Sequence, residues 1–159
     1  MAGDDRLRVS LKGRSALHIN RIALTDKKLV YVLCANKSLG YPHDKSPIAY
    51  IGTTQNGIDR VAPSAANRAY EILGRHGITA LDVRLITTNP KEGIKSWRLL
   101  ERALLLTFRE KYGSVPICNT VGKGFREGQE FNYFARDRIR RILDDLSESG
   151  KVLGGSIED

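Results

Sequence analysis

The chain has 159 residues, 41% of them hydrophobic and 28% charged, enough for one domain around its own core rather than a disordered segment. Lys and Arg number 26 against 18 Asp and Glu, a net charge of +8 that suits a polyanionic partner. No apolar run approaches the ~20 residues of a membrane span, and Cys34 and Cys118, each in an apolar segment, argue against a disulfide framework or a zinc site. The start, Met1 to Asp5, is polar and acidic without the apolar core of a signal peptide, so a reducing cytoplasm is expected. Residues 144–159 carry a net of −4, which leaves +12 on residues 1–143.

Residues 6–24 mix strand-like and helix-like apolar spacing, and their structure stays open. Leu29 to Ala35 is a continuous apolar run rich in β-formers and short enough for a buried strand. Asn36 to Pro47, with Gly40, Pro42 and Pro47 among polar residues, predicts a loop, and Ile48 to Gly52 a second strand, so that the two form an antiparallel hairpin with a long connection. Pro63-Ser64 predicts a helix start with Ser64 as N-cap, running to about Leu73. Leu81 to Thr87 alternates as a third strand. Ser96 opens a long helix to about Tyr112, stopped by Gly113 and Pro116. Gln129 to Ser147 predicts a last amphipathic helix with Phe131, Ala135, Ile139, Ile142, Leu143 and Leu146 inward. This order calls for an α+β fold: a small antiparallel sheet of about three strands with helices against it.

One residue breaks the pattern of the long helix. At about 100° per residue, Trp97, Leu104, Leu105, Phe108 and Tyr112 lie within roughly 60° of Glu101, which places that carboxylate in the apolar stripe. An unpaired carboxylate there costs several kcal/mol by order of magnitude (~), so it needs a partner or a cleft. An ion pair with Arg98 is the structural account. The chemical one is a Mg²⁺ site, since magnesium is often held by one or two carboxylates with water and substrate phosphate completing its shell.

Val30-Tyr31-Val32, then Tyr50-Ile51-Gly52, Arg60 ten residues past the second tyrosine, Glu101 and Asn119 together resemble the GIY-YIG nuclease superfamily. The predicted β-β-α-β-α order is that of the family fold, and the resemblance covers roughly residues 28–122. It implies a phosphodiester hydrolase in which Glu101 holds one Mg²⁺ or Mn²⁺ and Arg60 neutralises phosphoryl charge. Tyr31 and Tyr50 would line the site and orient or deprotonate the attacking water, and Asn119 would fix the geometry. Gly52 would let the backbone approach the active centre, and Thr53 and Thr54 would meet phosphate. The first motif lacks the family's glycine, Thr53 stands where many members have lysine, and Ser64 stands where many have His or Tyr. His43, Tyr70 and His76 are candidate substitutes for that base.

The expected protein is thus a single domain: nuclease core 28–122, a C-terminal extension 123–147 with its helix, and an acidic flexible tail 148–159. Its expected activity is metal-dependent cleavage of double-stranded DNA, with a homodimer cutting both strands as one arrangement of a restriction-type or defence enzyme. Arg98, Arg102, Lys123 and Ser64 join Gly52, Thr53 and Thr54 as expected substrate contacts. The cluster Arg136, Arg138, Arg140 and Arg141 suggests a DNA-facing surface, and residues 122–126 a flexible basic loop. The alternatives are a non-catalytic nucleic-acid-binding module on the same fold, favoured by Ser64 and Thr53, and a protein-interaction module with an acidic partner.

Overall fold

The computed structural model describes residues 6–16, 18, 20–75 and 77–153, the last five by backbone alone. Its elements are β1 (Leu29–Gly40), β2 (Lys45–Thr54), α1 (Ile58–Ile72), β3 (Leu81–Ile86), α2 (Ser96–Tyr112), α3 (Glu130–Tyr133) and α4 (Arg136–Leu153). The three strands form one antiparallel sheet in the order β2-β1-β3, an α+β architecture with helices on both faces. Among the described residues no helix is long and apolar enough to cross a membrane.

β1 is central and buried on both sides, which explains its unbroken apolar sequence. Leu29, Tyr31 and Leu33 point to the α1 side, where they pack with Val61. Val30, Val32 and Cys34 point to the other side and join Leu100, Leu104, Phe108, Ile139 and Leu143 of α2 and α4 in the main core.

The hairpin differs from the sequence expectation. Its connection is short, because β1 runs on to Gly40 and β2 begins at Lys45, with Pro47 inside β2. Pro47 is tolerated because it falls where the register slips between Cys34↔Ile48 and Leu39↔Ser46, and β2 is an edge strand in any case. A second slip, between Leu33↔Tyr50 and Cys34↔Ile48, makes Ala49 an extra residue in β2. Alternation resets there, so Ile48 faces α2 and α4 whereas Tyr50 faces α1. The bulge thus aims Tyr50 at the face that carries Tyr31.

The first helix begins earlier than expected, at Ile58 after Gly57, whose φ of 78° suits glycine. Ser64 is therefore inside α1 and does not cap it, and Pro63 lies within the helix on an exposed face. α2 matches the expected span and ends on Gly113 in the left-handed region, whose N–H bonds the Arg109 carbonyl. Ser96 does not cap α2; its Oγ accepts from Thr88 at 2.8 Å instead. The last expected helix is split: α3 ends at Tyr133, Phe134 is extended, and α4 continues past Ser147 to Leu153. Ile139, Leu143 and Leu146 form its buried side as expected, whereas Ala135 is exposed.

Candidate functional site

Residues 50–53 of β2 are where the candidate side chains gather. Tyr31 lies opposite Gly52 in the β1–β2 ladder, and Tyr50 is two residues from Gly52 on the same face. The two rings sit 5.8 Å apart, tilted by 42°. A Cβ on Gly52 would stand 2.5 Å from Tyr50 Cε1 and 3.0 Å from Tyr31 Cζ, so this glycine exists to let the two phenols fold over the strand. That differs from the expected role of admitting backbone to the active centre: the space is taken by the tyrosines.

α1 lies over this pair. Arg60, Ser64 and Arg68 recur every four residues and so share one side of the helix. The Ser64 and Tyr31 hydroxyls are hydrogen-bonded at 2.7 Å. The Arg68 guanidinium stacks 4.5 Å from the Tyr50 ring centre and donates to the Cys118 carbonyl at 3.3 Å. Arg60, nearest the helix start, is exposed, and among the described residues its side chain has no hydrogen-bond or ion-pair partner. Burial pushes the Tyr50 hydroxyl up to about 12, helped by the field and hydrogen bond of Tyr31 and opposed by Arg68. Tyr50 is a protonated phenol at neutral pH, a hydrogen-bond donor and not a resting base.

Arg68 was missed by sequence reasoning. The signal existed in the four-residue spacing from Arg60 through Ser64, but a helix begun at Pro63 leaves Arg60 outside the register.

Asn119 holds the outer edge of β2. Its Oδ1 accepts the Ile51 N–H at 3.0 Å and its Nδ2 donates to the Ile51 carbonyl at 2.9 Å, while the Cys118 N–H bonds Ala49 O at 2.9 Å. A side-chain amide thus stands in for a neighbouring strand, and Asn119 is itself 4% exposed.

Glu101 approaches from α2. Its stripe is as counted: Trp97, Leu104, Leu105, Phe108 and Tyr112 are buried, and Glu101 is half-buried among them. Burial raises its carboxyl above the ordinary value, against a hydrogen bond from the Thr53 side chain and the fields of Arg98 and Arg102. Among the described residues neither arginine forms an ion pair with it. Arg98 is exposed, and Arg102 is committed elsewhere: its Nε donates to Glu130 at 2.6 Å, its Nη2 to the Arg126 carbonyl at 2.9 Å, and it lies 4.2 Å over Phe125. Glu130, 1% exposed, is the second residue that sequence reasoning missed. Burial pushes its carboxyl up, but Arg102, its own N–H and that of Gly128 pull it below the usual range.

The acidic donor on this side is a single carboxylate, Glu101. Among the described residues no group of three or more His, Cys, Asp and Glu is placed to share an ion. Glu101 is instead a single under-neutralised carboxylate beside a threonine hydroxyl, which suits an ion that keeps water and phosphate for most of its shell.

The remaining candidates fall outside this group. The Thr54 hydroxyl accepts the Asn56 N–H at 3.0 Å and shapes the turn into α1. Lys123 is exposed and lines a groove of about 400 Å³ with Arg109, Pro116, Ile117 and Asn119. Residues 122–126 are pinned, because Arg109 donates to the carbonyls of Gly122, Lys123 and Phe125 at 2.9, 3.0 and 2.6 Å. His43 packs at the hairpin tip against Gly113, Tyr70 is 89% exposed, and His76 lies outside the described residues. Of the α4 arginines, Arg136 pairs with Glu127 and stacks on Phe131, and Arg140 lies 3.8 Å from both Glu110 and Asp137. Half of that cluster therefore has an intramolecular account.

No family model, curated protein or solved structure matches the chain.

Proposed function

We propose that the chain is a metal-dependent endonuclease of the GIY-YIG type, which hydrolyses phosphodiester bonds of double-stranded DNA in the cytoplasm. The observation that supports it is that five residues spread over 89 positions of sequence surround residues 50–53 of one strand: Tyr31, Tyr50 and Ser64 on its α1 side, Asn119 along its edge, and Glu101 from the α2 side beside Thr53. Core 28–122 holds the whole set.

In this reading Glu101 binds Mg²⁺ or Mn²⁺, with Thr53 bracing the carboxylate. When bound, the ion supplies Lewis-acid polarisation of the scissile phosphate and stabilises the leaving oxygen. Arg60, without a side-chain partner among the described residues, neutralises the phosphoryl oxygens. The Tyr31–Ser64 hydroxyl pair orients the attacking water, and Arg68 holds Tyr50 in place from above. Asn119 keeps the strand edge rigid under them.

A specific observation favours a second reading, a nucleic-acid-binding module without catalysis. Tyr50 holds its proton up to about 12, and the position that in many relatives of the type carries His or Tyr is Ser64, so a strong base is missing. Incubating supercoiled plasmid and single-stranded DNA with the protein and Mg²⁺, Mn²⁺ or EDTA separates the two. Cleavage that needs metal and is lost in Glu101→Ala and Arg60→Ala, both folded, supports the nuclease. Retardation of DNA with no cleavage of either substrate under any metal removes it in favour of the binding module.

A further inference from the structure

The segment before β1 is chemically distinct from the body of the protein. From Arg8 to Lys28 it holds six Lys and Arg (Arg8, Lys12, Arg14, Arg21, Lys27, Lys28) against one acid, Asp26. Leu7, Val9 and Leu11 are 90%, 92% and 95% exposed, so among the described residues these side chains stay clear of the body. An extended chain there places Arg8, Ser10 and Lys12 on one side, with successive side chains roughly 7 Å apart.

The root of this arm is fixed at the candidate site. Arg21 pairs with Asp59, the neighbour of Arg60, at 2.7 Å. The Lys27 carbonyl accepts the Gly57 N–H at 2.8 Å, and Leu24 packs beside the cluster of Leu29, Tyr31 and Val61. Lys28 Nζ lies 4.4 Å above the ring of Trp97, one turn before Glu101 on α2. The arm therefore leaves the fold beside the first turns of α1 and α2, the two helices that carry Arg60 and Glu101.

We propose that residues 8–16 are a nucleic-acid clamp, whose cations Arg8, Lys12 and Arg14 lie along the phosphate backbone of the strand in the site. This rests on the nuclease reading above and adds to it the element that retains the substrate. The fixed Arg21 lies thirteen positions after Arg8, a reach of up to ~45 Å when extended, enough to follow a duplex for about a turn.

The test is the salt dependence of binding to a DNA duplex of about 30 base pairs, for the wild type, the triple variant Arg8→Gln/Lys12→Gln/Arg14→Gln and Arg140→Gln. Each lost phosphate contact lowers the slope of log K against log salt by ~0.9. The triple variant is expected to lower it by about 2 to 3 and to weaken binding at least tenfold near physiological salt, while Arg140→Gln leaves it unchanged. Trypsin cleavage after Arg8, Lys12 and Arg14 is expected to be suppressed by the duplex. If the wild type binds with a steep slope but the triple variant matches it and the arm stays open to trypsin, the clamp is wrong and the nuclease reading stands. If Arg140→Gln alone moves the slope by ~0.9, as much per charge as the triple variant, the charge acts diffusely and the clamp is again wrong. If the wild type shows no salt-sensitive binding, clamp and nuclease reading fall together.

Discussion

Glu101 is held where a neutral side chain would sit more easily. Its carboxyl is raised by burial, so the folded state holds its proton more tightly than the unfolded chain does. The sign follows from that: the residue is neutral in its effect below the ordinary carboxylate value of about 4.3, and its cost grows as pH rises through the raised folded value. Glu101→Gln is expected to be more stable than the wild type at neutral pH by about 1 kcal/mol, or roughly 2–4 °C in Tm, and, on the nuclease proposal, to cleave no DNA. Thermal melts across about pH 4–8 check this, and the gain should fade towards the acid end. A Tm at or below that of the wild type at neutral pH would mean that the carboxylate is fully satisfied without a cation. The apolar stripe around Glu101 was legible because helical periodicity alone puts it there. Arg68 and the packing role of Gly52 were not, since each depends on ring positions that only the folded hairpin defines.

Among the elements, α2 and β3 were legible to within a residue or so, because their periods run without interruption and Gly113 ends the helix with a left-handed residue. The hairpin and α1 were harder, and proline was the cause in both. Pro47 and Pro63 carry the usual signs of a loop and a helix start, yet one sits at a slip in an edge strand and the other inside a helix already under way. The residue that does precede the helix, Gly57, offers no side-chain cap. The edge of β2 supplies a test at this scale. Asn119→Ala removes both hydrogen bonds to Ile51, leaving buried backbone groups unmatched at about 1–3 kcal/mol each. Amide exchange at Ile51 should accelerate at least ~10-fold, far more than at Val32 in the centre of the sheet. Equal acceleration at both would mean that the substitution loosens the entire core and not the edge.

Over the whole molecule, the C-terminal third is stitched to α2 by polar contacts that no local pattern announces. Lys111 pairs with Asp144, Arg109 holds residues 122–125, and the buried Glu130 takes Arg102. The Glu130 carboxyl is depressed, so its contribution is the reverse of that of Glu101. It is present above the ordinary carboxylate value and is lost as pH falls through the lower folded one. Glu130→Gln should therefore lower the urea midpoint at neutral pH by an amount equivalent to about 1–3 kcal/mol, a deficit that closes in acid. A deficit independent of pH would point to lost packing and not to lost charge.

The sheet itself is sealed on one side only. Cys118 and Asn119 occupy the outer rim of β2 at Ala49 and Ile51, whereas among the described residues no strand pairs with the outer rim of β3. Growth of this sheet, into an ordered assembly or an aggregate, thus has a single direction. That rim is short, six residues with Asp82 and Arg84 along it, as edges that resist templating tend to be. Any copy added there pairs with β3, two strands away from β2 and its Tyr50, so crowding that joins molecules edge to edge leaves the rim held by Asn119 untouched.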